Sequence, residues 1–310
     1  MESDLIHSQA PSAKPASVAG SDQLNLATYG LKRAWEAKLH LGYVNKNGKT
    51  VLKDMSFEGP LRVQRPFYPE QGRCHSYVLH PPGGMVSGDK ITIGVDLAKD
   101  AQALVTTPSA GKIYGADSAN VVQRQRIRLS VGVGAVLEFL PQENILFDGA
   151  NAELDTQIDV AQTGALLAWD IVSFGRPHGG YLFESGSLKQ RISIRVADDP
   201  VLIEAFKTDE ALRILKSDAG LQGHLHMGSF FVVVPEQVSK YDRWLEIVRA
   251  HLPEATDSLK LAATHRRSVL VIRGLADDIE TLRNSFIELW KRIRKDIIDA
   301  EPTVPRIWLT

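Results

Sequence analysis

The chain of 310 residues contains a single cysteine, Cys74. No intrachain disulfide can form, and the composition fits a reducing compartment. No apolar run reaches the roughly 18 residues that a membrane-spanning helix needs. A net charge of −1 leaves no concentrated basic face of the kind nucleic acid requires. No G-x-S-x-G elbow of a serine hydrolase is present, and no repeat at a solenoid period is evident by inspection. The first 28 or so residues lack the apolar core of a secretory signal, interrupted as they are by Pro11, Lys14, Pro15 and Gly20. Rich in Ser, Ala, Pro and Gln, residues 1–28 read as a disordered tail. A cytoplasmic protein with no membrane or nucleic-acid partner is the expectation.

What is present is ordinary in composition, with 44% hydrophobic and 24% charged residues, and patterned for strands. Trp35, Ala37, Leu39, Leu41 and Tyr43 alternate with polar residues, and Asn47-Gly48 then signals a hairpin. Strand patterns recur at 61–64, 76–79, 91–97, 103–107, 121–129, 135–140, 154–160, 166–173, 188–196, 226–234 and 268–273. Two segments instead step by three and four. Val238, Tyr241, Leu245, Val248 and Leu252 form one such face, and Ile279, Leu282, Phe286, Leu289, Ile293 and Ile297 form a longer one. The second begins with acids and ends with bases, matching the helix dipole. Residues 205–215 are a third helix candidate. The fold class expected is α+β: a predominantly β body over 34–196, then a mixed strand and helix part over 197–310, together one domain.

Between two strand patterns lies His80-Pro-Pro-Gly-Gly-Met-Val-Ser-Gly88-Asp89, a run that neither a helix nor a central strand accommodates. It predicts a specially shaped corner or a functional surface. Gly83 and Gly88 have phosphate-loop spacing, yet Asp89 and Lys90 follow where Lys and Ser or Thr belong, and a strand follows where a helix belongs. A nucleotide site is rejected. Cys74 and His80 are about 20 Å apart along an extended strand, too far to share a metal. His224 and His226, two apart, suit one strand face, with Asp218 a distant third ligand; a surface pair is the plainer reading. Glu138, Glu143, Asp148 and Asp170 would suit a β-rich carbohydrate-active enzyme if two of them faced each other. Arg124, Arg126 and Arg128 form a same-face ladder, read as a solvated face or a contact for an acidic partner.

Several segments taken in order resemble the urease accessory protein family UreD, also called UreH. They are residues 61–70, the run from Cys74 to Gly84 with Gly88 and Asp89, and Thr106 to Tyr114. Leu137 to Phe147, Gly175-Arg176-Pro177 and Pro305-Arg306-Ile307-Trp308 complete the series. The chain departs from the family pattern at Tyr181, where a glutamate is expected; Glu184 is a speculative replacement. The resemblance implies a non-catalytic maturation factor with a large β structure and C-terminal helices. Its implied partners are urease apoprotein, UreF and, through UreF, the GTPase UreG, in the service of a dinickel centre. It also implies a water-filled internal route for nickel, with no tightly bound cofactor. The positions it marks are His80, Pro81, Pro82, Gly83, Gly84, Gly88, Asp89, Thr107, Lys112, Tyr114, Glu143 and Arg176. Asp89, Glu143, His224 and His226 are the weak metal-ligand candidates. A carrier that must release nickel is better served by carboxylates and carbonyls than by a closed Cys/His cage, and one cysteine with few clustered histidines fits that need.

Overall fold

A computed structural model describes residues 35–309; the expected tail over 1–28 lies outside them. The chain opens with β1 (Glu36–Lys46) and β2 (Lys49–Glu58). Lys46 pairs with Lys49 across Asn47 and Gly48, at φ of 53° and 82°. Two left-handed residues are what a tight hairpin twisting with its strands requires, so the Asn-Gly signal was sufficient.

After β3 (Arg62–Val63) and β4 (Cys74–Leu79) the chain winds as a coil. One turn carries β5 (Lys90–Leu97), β6 (Gln102–Thr106) and β7 (Gly111–Ile113). The next carries β8 (Gln123–Val131), β9 (Val136–Phe139) and β10 (Asn144–Leu146). A third carries β11 (Ala150–Val160) and β12 (Ala165–Arg176), and β14 (Gly186–Val196) begins a fourth after the two-residue β13 (Tyr181–Leu182). Equivalent strands stack in parallel, placing Lys90 beside Arg124, Arg124 beside Glu153 and Glu153 beside Lys189. The unequal spacing of those four residues explains why a repeat is not visible in the sequence.

β15 (Asp199–Lys207) closes the first sheet, in the order β15-β14-β11-β8-β5-β1-β2. Residues 205–215 are therefore not a helix. Their first part is an antiparallel strand formed by a turn through Ala197 and Asp198, at φ of 47° and 70°. Only α1 (Arg213–Lys216), a single turn, is helical there. The second sheet gathers β4, β6, β9 and β12 with β16 (His226–Val233), β17 (Leu259–Arg266) and β18 (Val269–Ala276). A 3-10 turn over Pro235–Lys240 leads into α2 (Tyr241–Ala250), and α3 (Ile279–Ile298) follows β18.

Parallel sheets are usually covered by helices on both faces. Here the connections are strands of the opposing sheet, so the first sheet keeps one face in water. Arg124 reaches Glu153 at 3.1 Å and Arg126 reaches Asp155 at 3.5 Å on that face. The arginine ladder is thus cross-strand pairing on a solvated surface. The second sheet is buried on both sides. Leu166, Ala168 and Val172 face the other sheet, while Leu167, Trp169 and Ile171 face α2 and α3. That double burial accounts for the nearly unbroken apolar run of β12.

The helical layer is fastened to this sheet by a buried charge cluster. Glu138 and Arg294 are both fully buried. Glu138 accepts from Trp290 Nε1 at 2.7 Å and from Arg294 Nε at 2.9 Å and Nη2 at 2.8 Å. Arg294 also reaches Glu70 at 2.8 Å and the carbonyl of Glu301. Arg73 lies 3.3 Å from Glu70 and 3.4 Å from Glu138. Removing one member strands the others without water, which costs far more than the pairing itself contributes. Glu138→Gln is expected to lower the stability measured by urea unfolding by about 3–5 kcal/mol. Adding Arg294→Met should restore part of the loss; additive losses would contradict this account.

Candidate functional site

The corner between β4 and β5 takes the chain from one sheet to the other. Gly83 adopts φ of 79° and its N–H closes a turn on the His80 carbonyl at 2.9 Å. Met85 then pairs with β7: its N–H meets the Lys112 carbonyl at 2.8 Å, and the Tyr114 N–H meets its carbonyl at 3.0 Å. Gly84 passes so close that a Cβ there would lie 2.4 Å from the Tyr114 ring. Gly88, at φ of 84°, donates to Val121. The Asp89 carboxylate accepts from the N–H groups of Val86 at 2.9 Å and Trp35 at 3.2 Å, which pins the end of the corner.

This corner roofs a cavity of about 330 Å³ between the sheets. His80, Pro81, Gly83, Thr107 and Lys112 line it, so five of the sequence-marked residues converge. Burial pushes the His80 imidazole below its ordinary value, opposed by the charge of Asp89. Thr107 Oγ1 accepts the N–H of Gln142 at 2.9 Å, joining two coil turns. Gly84 and Tyr114 sit beside the roof, where Tyr114 stacks on Phe147 at 5.2 Å and Phe147 meets Tyr181 edge-on at 5.8 Å. Pro82 is exposed on the loop. Asp89, Glu143 and Arg176 do not line the cavity. Glu143 is buried with Arg283 3.6 Å away, and Arg176 ends β12 opposite Tyr181.

The floor of the cavity is Asp170, which the sequence analysis named only among scattered carboxylates. It also lines a second cavity of about 740 Å³, a groove between β14 and β15 on one side and β16, β17 and β18 on the other. Gln190 Nε2 donates to Asp170 Oδ1 at 2.6 Å. Burial pushes the Asp170 carboxyl up to about 6, and the charge of Glu204 adds to the effect, while the Gln190 bond opposes it. Glu204 in turn binds Arg273 and receives Ser229 Oγ at 3.4 Å. Gln190, Glu204 and Arg273 escaped the sequence reading. One signal was available: Asp170 is the only charged residue in the apolar run from Ala165 to Phe174.

The other candidates serve different duties. His224 and His226 are buried, not a surface pair, and only His226 lies in β16. Their Nδ1 atoms meet different partners, Asp277 at 2.8 Å and Ser173 at 2.8 Å. Burial drives His226 down to about 4, against the charge of Asp278, so it stays neutral at neutral pH. Burial pushes the Cys74 thiol up, which disfavours the thiolate a metal would need. Among the described residues no three His, Cys, Asp or Glu side chains are grouped to hold a metal ion. The four carboxylates named for a glycosidase each have a different set of partners. Glu138 belongs to the charge cluster, Glu143 lies by Arg283, Asp148 accepts from the N–H groups of Glu184 and Ser185, and Asp170 is inside.

A family model described as UreD urease accessory protein matches residues 36–309. The urease accessory protein UreD of Saccharophagus degradans is 37% identical over 279 residues, covering 90% of this chain and 94% of its own length. That of Klebsiella pneumoniae is 38% identical over 280 residues, covering 90% and 97%. That of Chromohalobacter salexigens is 36% identical over 291 residues, covering 91% of each. Near-complete coverage at this identity, joined to the ordered motifs around the cavity, places the chain in the UreD family of urease accessory proteins.

Proposed function

We propose that this urease accessory protein passes nickel ions through its interior to apo-urease, as the non-catalytic scaffold of an assembly with UreF and UreG in the cytoplasm. The observation that carries the reading is that Asp170 lines both cavities. A path bounded by His80 and Lys112 on one side and by Glu204 on the other meets at one carboxylate. Carboxylate, amide and carbonyl oxygens hold nickel weakly compared with thiolate or clustered imidazole, so an ion that enters can leave. Among the described residues no helix is long and apolar enough to cross a membrane.

Asp170 is costly to keep. Its folded value of about 6 exceeds the ordinary 3.8, so the folded chain holds this proton more tightly than the unfolded chain does. Stability from this group is fully present below about pH 4 and falls as pH rises toward 6. A carboxylate retained against stability among largely apolar cavity walls points to function. Asp170→Asn should therefore raise stability at pH 7.5 by on the order of 2 kcal/mol, with no gain near pH 3.5, as read from denaturation curves.

The passage itself is tested by urease activation in cells carrying Asp170→Asn or the bulkier Asp170→Leu. Urease nickel content and activity are expected to fall about tenfold or more, while the variants still co-purify with apo-urease and the accessory proteins. Normal nickel content in both variants would overturn the proposal. Narrowing the roof with Gly84→Val should lower activation in the same assay, because the added methyl groups drive Tyr114 from its place against Phe147. Full activation by a folded Gly84→Val chain would exclude the corner from the path.

A further inference from the structure

We infer that Arg273 is a built-in counter-cation at the groove, holding Glu204 when no metal is present and yielding it to a passing divalent ion. The inference rests on the nickel-passage reading and adds to it the group that keeps the ion from being retained.

The ion pair joins β18 to β15, which belong to different sheets, and so bars the groove. Its Arg273 side chain is 51% exposed and Glu204 21%. Pairs this open to water contribute little to stability, so the fold does not need it. What lies behind it explains it better. Asp170 and Glu204 line the same groove, and the charge of Glu204 raises the proton affinity of Asp170. Two carboxylates on the wall of one groove attract a divalent cation more than either does alone, and the guanidinium neutralises one of them.

Arginine stays charged at any working pH, so loss of its proton cannot release Glu204; the side chain has to swing aside. Its half-exposed stem lets it do so into water at little cost. Arrival of a divalent ion then exchanges one cation for another at Glu204, and return of the guanidinium helps expel the ion. The other basic residues of the groove do not take this role: Lys260 is bonded to Gln222 at the rim, and Lys207 lines the groove with no ion pair to Glu204.

The test is equilibrium dialysis of the full chain against Ni²⁺ alone at pH 7.5, with release into a chelator followed in time. Arg273→Gln is expected to bind Ni²⁺ about tenfold more tightly and release it correspondingly more slowly. Arg273→Lys, which keeps the charge, should behave nearly as the parent chain, and Arg273→Gln with Glu204→Gln should lose the gain. Parental affinity in Arg273→Gln, together with weakened binding in Asp170→Asn, would overturn the inference and leave the passage standing. A gain that persists in the double variant would also overturn it, since Glu204 would not be the group set free. If Asp170→Asn likewise binds Ni²⁺ as the parent does, the passage reading falls and takes this inference with it.

Discussion

Glu138 and Arg294 meet where water cannot reach either, and the placing of the helical layer depends on that contact. Arg294 comes from α3, Glu138 from β9, and Glu70 and Arg73 from the segment before β4. One cluster therefore joins the second sheet to its helices and to the chain beyond them. Burying two guanidiniums and two carboxylates yields little net stability, because desolvation offsets most of the attraction. The contribution is to position. A helix face of Leu282, Phe286, Trp290 and Ile293 would pack against many apolar surfaces, whereas the charges fit at only one place.

Because the helices cover one face of the second sheet, its other face is free to oppose the first sheet, and the coil sets the space between them. Most of that space is filled by Leu, Ile and Val. At the corner after β4 and between β14, β15 and β18 it is not. The polar residues left inside, Asp170, Gln190 and Gln142 among them, line cavities that the packing elsewhere would have closed. A protein core normally excludes such groups unless they are fully bonded. Asp170 has one bond from Gln190 and a destabilising neighbour in Glu204, and the proposed passage gives that costly arrangement a use.

The sequence told much of this, unevenly. The first hairpin was legible because Asn47-Gly48 has few other uses, and α3 because its apolar spacing runs for five turns with an acidic start. β17 was not, since Lys260, Thr264 and His265 dilute its alternation, and its strand character comes from pairing with β18. Residues 205–215 mixed both periods, and the turn at Ala197 and Asp198 lacks the glycine that would have marked it. The corner from His80 to Asp89 was recognised, but not that Asp89 serves the backbone while Lys112 faces the cavity. That distinction depends on which coil turns stack, and unequal turn lengths conceal the register. Asp170 and Glu204 lie on strands of different sheets, so nothing local in the sequence could bring them together.

Whether the interior is a path for a divalent cation is decided by crystals of the full chain soaked in a nickel salt and measured at the nickel absorption edge. An anomalous peak is expected between the sheets beside Asp170, with weaker density toward Glu204 or His80. Peaks confined to surface histidines such as His178 and His251, with the interior empty of nickel at saturating salt, would contradict it.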